Sequence, residues 1–369
     1  MNRYIKLLSK VVSTSILIII TCTGTILYAQ DSNPGEILRS GANDANLLIE
    51  QYLGPIGPGL GAGLNSGWFT SPRAHRPLGF DFRVSSTFAA VPNIDQLINM
   101  DRLVFENLRV LDGPTLSPTL FGDETPGTRL GETFVNPETG EMMELYSFTM
   151  PKGIGFHYVV TPMAQFTLGL IRDTNITVRY LPPLTLNDDF KTSLRGFGFQ
   201  HGLNQWLNQS PDAIDVSIHM GFTEISADFN YLVEPEEGSD IQNPHPSSTW
   251  EGQGMAVRSS AFTSSLILGK QMRVLSLYGG FGFQQAKTNV RAVGAYPAAI
   301  PLGPNEYTPG GPNRTIEIVD NPIDLDFESN LRMNYFVGAR LQLLIVAVSV
   351  SYNFSEYNSL NVGVGISVR

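Results

Sequence analysis

From Phe80 to the C-terminus, apolar side chains recur at every second position in one segment after another. Phe80, Phe82, Val84, Phe88 and Ala90 share a parity against Asp81, Arg83, Ser85 and Thr87. Leu344, Val346, Val348, Val350 and Tyr352 repeat it, and Leu360, Val362, Val364, Ile366 and Val368 end the chain with it. A period of two belongs to a β-strand with one apolar and one polar face. The alternation predicts strands near 79–91, 142–149, 152–160, 163–171, 174–181, 193–203, 212–231, 255–269, 272–289, 325–340, 341–354 and 357–369, twelve in all. Within 212–231 the apolar parity slips at Thr223 and Glu224, which reads as a β-bulge in one long strand. Residues 325–340 alternate without a slip, so Asp326, Glu328, Arg332 and Arg340 fall on the polar face.

Run up and down in turn, these strands send the long connections 92–141, 232–254 and 290–324 to one side. The short turns at 150–151, 172–173 and 270–271 go to the other. An even strand number with this loop asymmetry is the pattern of outer-membrane barrels. A soluble exported β-sandwich also alternates, with its apolar parity turned to a core. Here the polar parity is Gly, Ser, Thr, Asn, Gln and scattered charge, which suits a lumen better than the Lys- and Glu-rich exterior of a sandwich. The expected fold is all-β, an antiparallel transmembrane β-barrel of about 12–14 strands with a short N-terminal helical plug or cap segment.

Residues 30–78 do not alternate. Asn43 or Asp44 caps a short helix through Leu47, Leu48, Ile49 and Leu53, and Gly54-Pro55-Ile56-Gly57-Pro58-Gly59 ends it. Gly61, Gly63 and Gly67 then give a flexible run up to Trp68-Phe69, expected to plug the lumen or cap one mouth. Before it, Arg3, Lys6 and Lys10 precede the apolar stretch from Val11, and Leu27-Tyr28-Ala29 offers a cleavage site. Residues 1–29 therefore read as a secretory signal, with an uncleaved anchor as the alternative. The expected organisation is signal 1–29, N-terminal segment 30–78 and barrel 79–369, placed in the outer membrane of a diderm bacterium.

Charge and cysteine content narrow the chemistry. Without the signal, 21 basic residues face 34 acidic ones, which disfavours nucleic acid as a partner. Cys22 is the only cysteine and lies in the signal, so cleavage leaves no disulfide and no thiolate. Only His75, His157, His201, His219 and His245 offer imidazoles, and the chain has no Gly-x-Ser-x-Gly elbow and no metal-ligand spacing. The expectation is a non-enzyme without cofactor, whose partners are the lipid bilayer, the barrel-assembly machinery and a small solute, hydrophobic ones included.

One segment carries a family resemblance. Arg195-Gly196-Phe197-Gly198-Phe199-Gln200-His201-Gly202-Leu203-Asn204-Gln205-Trp206-Leu207 precedes the strand from Asp215 to Thr223. This glycine-rich strand, His-x-x-x-Gln-Trp turn and alternating strand resemble a family of uncharacterised exported proteins of diderm bacteria. The run Gly61-Ala62-Gly63-Leu64-Asn65-Ser66-Gly67-Trp68 resembles that family's N-terminal part. The resemblance implies location and architecture. A looser one is to FadL-type transporters of hydrophobic compounds, which pair an N-terminal hatch with a barrel; their Asn-Pro-Ala motif is here Asn33-Pro34-Gly35.

The candidate lumen or gating residues follow from parity. His157, Arg179, Asp215 and His219 fall on predicted lumen faces. His201 and Trp206 sit at a predicted periplasmic connection, either as a gating turn or as an amphipathic turn at the membrane interface. The expected function is a passive pore or transporter for small molecules. The alternatives are a structural or adhesive barrel acting through its long outer loops, and the soluble sandwich.

Overall fold

The structure, a computed structural model, describes residues 37, 42–135, 142–186, 189–207, 214–235, 237–239, 241–302, 312 and 314–368. The signal, its cleavage position and Asn33-Pro34 lie outside the described residues. From residue 42 onward the described elements begin with α1 (Ala42–Leu53) and α2 (Ile56–Asn65), then β1 (Phe80–Ala90). A long connection carries β2 (Leu97–Asn99), β3 (Arg109–Asp112), β4 (Leu116–Pro118), β5 (Arg129–Val135) and β6 (Met142–Thr149). Next come β7 (Tyr158–Leu170), β8 (Thr174–Leu186), β9 (Phe190–Gly202), β10 (Asp215–Asn230), β11 (Ile241–Gln242) and β12 (Gly254–Gln271). The chain ends with β13 (Leu275–Val293), β14 (Ala295–Pro301), β15 (Arg314–Asp320), β16 (Asp324–Leu343), β17 (Val346–Phe354) and β18 (Ser359–Val368).

Ten of these strands close an antiparallel barrel in the order β1-β18-β17-β16-β13-β12-β10-β9-β8-β7, with β7 returning to β1. The final strand completes the closure, pairing along β1 from Phe80↔Val368 to Ala89↔Ser359. In its lower half the barrel buries the polar parity and exposes the apolar one. Asp81, Arg83, Ser85 and Thr87 are buried while Phe82 between them is 44% exposed. A sandwich would bury the apolar parity instead. A closed sheet that satisfies its own backbone and presents an apolar exterior is suited to lipid and unsuited to water. The chain is therefore a transmembrane β-barrel of the outer-membrane type.

The strand number is ten, two fewer than the alternation suggests. Segments 152–160 and 163–171 are one strand, β7, which begins only at Tyr158 and runs through Thr161-Pro162. Gly155, at φ 65°, turns the chain just before it. Segment 142–149 is β6, which pairs with β5 in a separate three-stranded sheet beyond the barrel. Losing two strands preserves the up-and-down order. The connections 91–157, 231–253 and 294–323 share one side, called outer here, and the turns at 171–173, 272–274 and 344–345 share the other.

The parity slips also resolve differently. β10 keeps an unbroken register against both β9 and β12, with no bulge at Thr223 and Glu224. The bulge is in β16, where Gln284 of β13 faces Arg332 and Ala286 faces Ser329. Two residues there oppose one, which flips the faces. Leu325 and Phe327 consequently join the inner apolar cluster, while Asp326 and Glu328 turn outward onto Lys287, at 3.4 and 3.0 Å. Neither carboxylate faces the lumen, contrary to the simple alternation. Arg332 is likewise solvent-exposed and pairs with Glu356 (2.8 Å).

Toward the outer side the barrel interior becomes apolar. Val257, Val290 and Ala292 from the wall pack with Leu48, Tyr52 and Leu53 of α1 and with Leu130, Phe148 and Met150 of the long connection. Asp44 of α1 is 2% exposed and accepts backbone hydrogen bonds from Glu106, Asn107 and Leu108 (2.8, 2.9 and 3.0 Å). It ties the outer connection to the helix. From α1 the chain descends through α2 and residues 66–79 to the start of β1 at the opposite end.

Candidate functional site in the barrel lumen

Residues 61–67, flexible on sequence grounds, contain the second half of α2. Four of the ten residues of α2 are glycine and one is proline. Glycine costs about 1 kcal/mol relative to alanine in a helix interior, so this helix owes its form to its surroundings. Successive residues turn by about 100°, which puts Gly57 and Gly61 on one face and Gly59 and Gly63 on the opposite one. A Cβ at the first pair would overlap Phe327 of β16 and Ala286 of β13. At the second pair it would overlap Val159 and Thr161 of β7. The helix is wedged between two walls with no room for side chains on either.

Below α2, Gly67 (φ 69°) turns the chain against Asn361, and Trp68 enters a dent in the opposite wall. The dent is a cross-strand glycine pair, Gly198 of β9 opposite Gly221 of β10. Cβ atoms there would come within 2.6 and 2.5 Å of the indole. The guanidinium of Arg179 stacks on the Trp68 ring, 3.6 Å from a ring centroid. The His219 ring packs 5.4 Å from Trp68 and 5.2 Å from Phe69.

Polar side chains of the wall bind the backbone of this segment. Arg179 donates to the carbonyls of Leu64 and Ser66 (2.6 Å each), and Arg83 donates to that of Gly67. Gln165 donates to Trp68 O (2.8 Å) and Gln200 to Ser71 O (3.0 Å). Arg179 thereby caps the C-terminus of α2, where the helix dipole places partial negative charge. Side chains add to the hold: Ser66 meets Ser359 Oγ to Oγ at 2.9 Å, and Arg73 pairs with Asp215 at 2.7 Å. Arg340 donates to Asp81 (2.9 Å) and to Thr70 (3.2 Å). Two small voids flank Trp68, each with room for about one water.

Of the residues singled out from sequence, Arg179, Asp215 and His219 face the lumen and meet this segment. His157 does not. It precedes β7 at the outer mouth, with Nδ1 2.7 Å from Phe121 O and Nε2 3.4 Å from Asp123, because the strand expected to carry it starts one residue later. His201 and Trp206 are on the opposite rim, His201 on the outward parity of β9 and Trp206 in the turn that follows it. His201 Nδ1 lies 2.8 Å from Thr174 Oγ1, and Trp206 is 69% exposed. With Ile171, Leu207, Leu344 and Ile345, also exposed, Trp206 forms an apolar rim suited to the membrane interface.

Residues 8–368 match the model of a family of unknown function, DUF6588. The chain belongs to that family. A search of the curated proteins finds no match. Among solved structures, this DUF6588 protein is similar to Ail, the attachment invasion locus protein of Yersinia pestis, at 9% identity and TM-score 0.19, over 79% of this chain and 98% of that one. It is similar to the translocator domain of the autotransporter NalP from Neisseria meningitidis at 9% identity and TM-score 0.26, over 80% and 90%. The toluene transporter TodX of Pseudomonas putida gives 10% identity and TM-score 0.24, over 86% and 76%. Likenesses this weak carry no argument about function.

In this DUF6588 protein the residues missed by parity alone are Trp68 and the glycines of α2; Arg83 falls on the polar, inward parity of β1 with Asp81 and Ser85. A signal for them exists in the chain. Glycines at every second position of a helix leave it bare on two opposite faces, and a lone Trp after such a run needs a seat. Gly198 and Gly221, both on inward parity, supply it.

Proposed function

We propose that this protein is a gated outer-membrane channel for small polar solutes, opened when residues 54–79 leave the lumen. The observation that carries the reading is how the segment is held. Wall side chains bind its backbone carbonyls, and such bonds exchange for water at a net cost of about 1 kcal/mol each for the glutamine donors and about 1.5–3 kcal/mol each for the arginines. Cys22 is the only cysteine, so no disulfide fixes the segment. A helix that its own sequence does not favour unfolds on leaving, and the conformational entropy it regains offsets part of the packing it loses. The polar wall favours polar over hydrophobic solutes.

The test is a reversible lock. The variant Ser66→Cys with Ser359→Cys places two thiols where the hydroxyl oxygens meet at 2.9 Å. In planar bilayers the reduced protein should conduct like the wild type, and the oxidised protein should stay closed until a reductant is added. Conductance that survives oxidation, or its absence from the wild type, rules the gate out.

The packed outer layer favours a second reading, a barrel that displays its loops to a partner. α1 and the connection 91–157 share one apolar core there. Under that reading the lock is without effect on partner binding and the wild type conducts nothing.

A further inference from the structure

We infer that the narrow part of the lumen is an anion site, occupied in the closed state by the chain's own carbonyl oxygens, and that the open channel selects small anions. The inference rests on the gated-channel reading above. Arg83 and Arg179 converge on four consecutive residues. Arg179 reaches the carbonyls of Leu64 and Ser66, and Arg83 that of Gly67. Both side chains are buried, at 3% and 1% exposure. Arg83 keeps Nε and Nη1 buried with no hydrogen-bond partner.

Neither arginine makes an ion pair among the described residues. The buried carboxylates of the wall are engaged elsewhere, Asp81 with Arg340 at 2.9 Å and Asp215 with Arg73 at 2.7 Å. The register places the two cations in one row. Arg83 is opposite Gln165, and Gln165 is opposite Arg179. The row continues through Gly196, Thr223 and Ala261 on one side and Gly365 and Ala347 on the other. It contains no carboxylate.

A buried charge needs a partner. In the closed state, the partners are carbonyl oxygens at and just beyond the negative end of α2, joined for Arg179 by the neutral wall oxygens of Gln165 and Thr223, at 3.2 Å each. When the segment leaves, two guanidiniums remain with unspent donors in a fork geometry that fits chloride, carboxylate or phosphate oxygens. Arginines that line a pore favour anions over cations. An anion bound there also competes with the segment, so anions able to bridge both arginines favour the open state.

The full-length wild type, in planar bilayers under a potassium chloride gradient, should show a reversal potential corresponding to several-fold preference for chloride. Inorganic phosphate should raise the open probability. Arg83→Gln with Arg179→Gln should abolish both effects while the heat-modifiable band of the folded barrel persists. Should that variant fail to fold, the wild-type reversal potential and phosphate response decide alone. Conductance without chloride preference overturns the anion site and leaves the channel standing. Absence of all conductance overturns both.

Discussion

The two halves of this barrel obey opposite rules. In the lower half, apolar residues such as Val350 and Val362 point outward, and polar residues such as Ser351 and Asn361 point in. In the upper half, ion pairs decorate the outside: Arg195–Glu224 and Arg258–Asp228 at 2.6 Å, and Arg291–Asp324 at 2.9 Å. Inside are Val257, Val290, Leu325 and Phe327. The lower half is built for lipid and the upper half for water, along the same strands. The level of the inversion marks where the bilayer ends.

Two strands achieve the inversion by different means. In β10 the backbone keeps its register while the sequence slips, so inward His219 and Thr223 give way to inward Ile225 and Phe229. In β16 the sequence keeps its alternation while a bulge slips the backbone. Either route turns a polar interior into an apolar one, and neither is visible from alternation without knowing the register.

The largest effect is expected from placing a charge on the wrong side of this divide. Val290→Asp would bury an unpaired carboxylate among apolar groups of the outer half, at a cost on the order of 4 kcal/mol. Ser351→Asp makes the same chemical change on the inward parity of the polar half, and the expected cost is about 1 kcal/mol, since polar partners and water are near. Guanidinium unfolding in phospholipid vesicles measures both. Equal costs would show that the two interiors do not differ.

A smaller effect is expected on the lipid side. Val350 is at the middle of β17, between Ala339 and Val362. Val350→Arg should lose about 2–4 kcal/mol in the same assay, the range for a cation facing the bilayer midplane. A loss near zero would mean that this face does not meet lipid.

How much of this was readable in the chain depends on range. The alternation of β17 and β18 needs only neighbouring residues; β18 is where it puts it, and β17 starts five residues late because 341–343 end β16 and Leu344 (φ 56°) turns the chain. The barrel, its closing strand and the sidedness of its loops follow from such local patterns. The count failed at β7, read as two strands, and at β6, which is a strand but pairs with β5, because pairing partners are a property of the whole fold. The site was half readable. Parity placed Arg179, Asp215 and His219 on the lumen face. It could not foresee that Arg179 would meet the end of a helix in which four of ten residues are glycine, since that helix forms only inside the finished barrel. His157 was misplaced because the turn at Gly155 delays the start of β7 to Tyr158.

The smallest expected effect tests the boundary itself. Arg258 is on the outward parity of β12, as Val350 is on that of β17, and its partner Asp228 is 2.6 Å away. Both side chains are well exposed, and ion pairs of that kind contribute about 0–1 kcal/mol. Arg258→Leu should therefore change stability by less than about 1 kcal/mol. Were this part of the wall in hydrocarbon, replacing arginine by leucine would instead stabilise the barrel by about 2–4 kcal/mol. A gain of that size would place the bilayer boundary above Arg258, and the ion pairs of the upper half would then lie within the membrane; near-neutrality keeps the boundary below it, at the level where β10 and β16 exchange their faces.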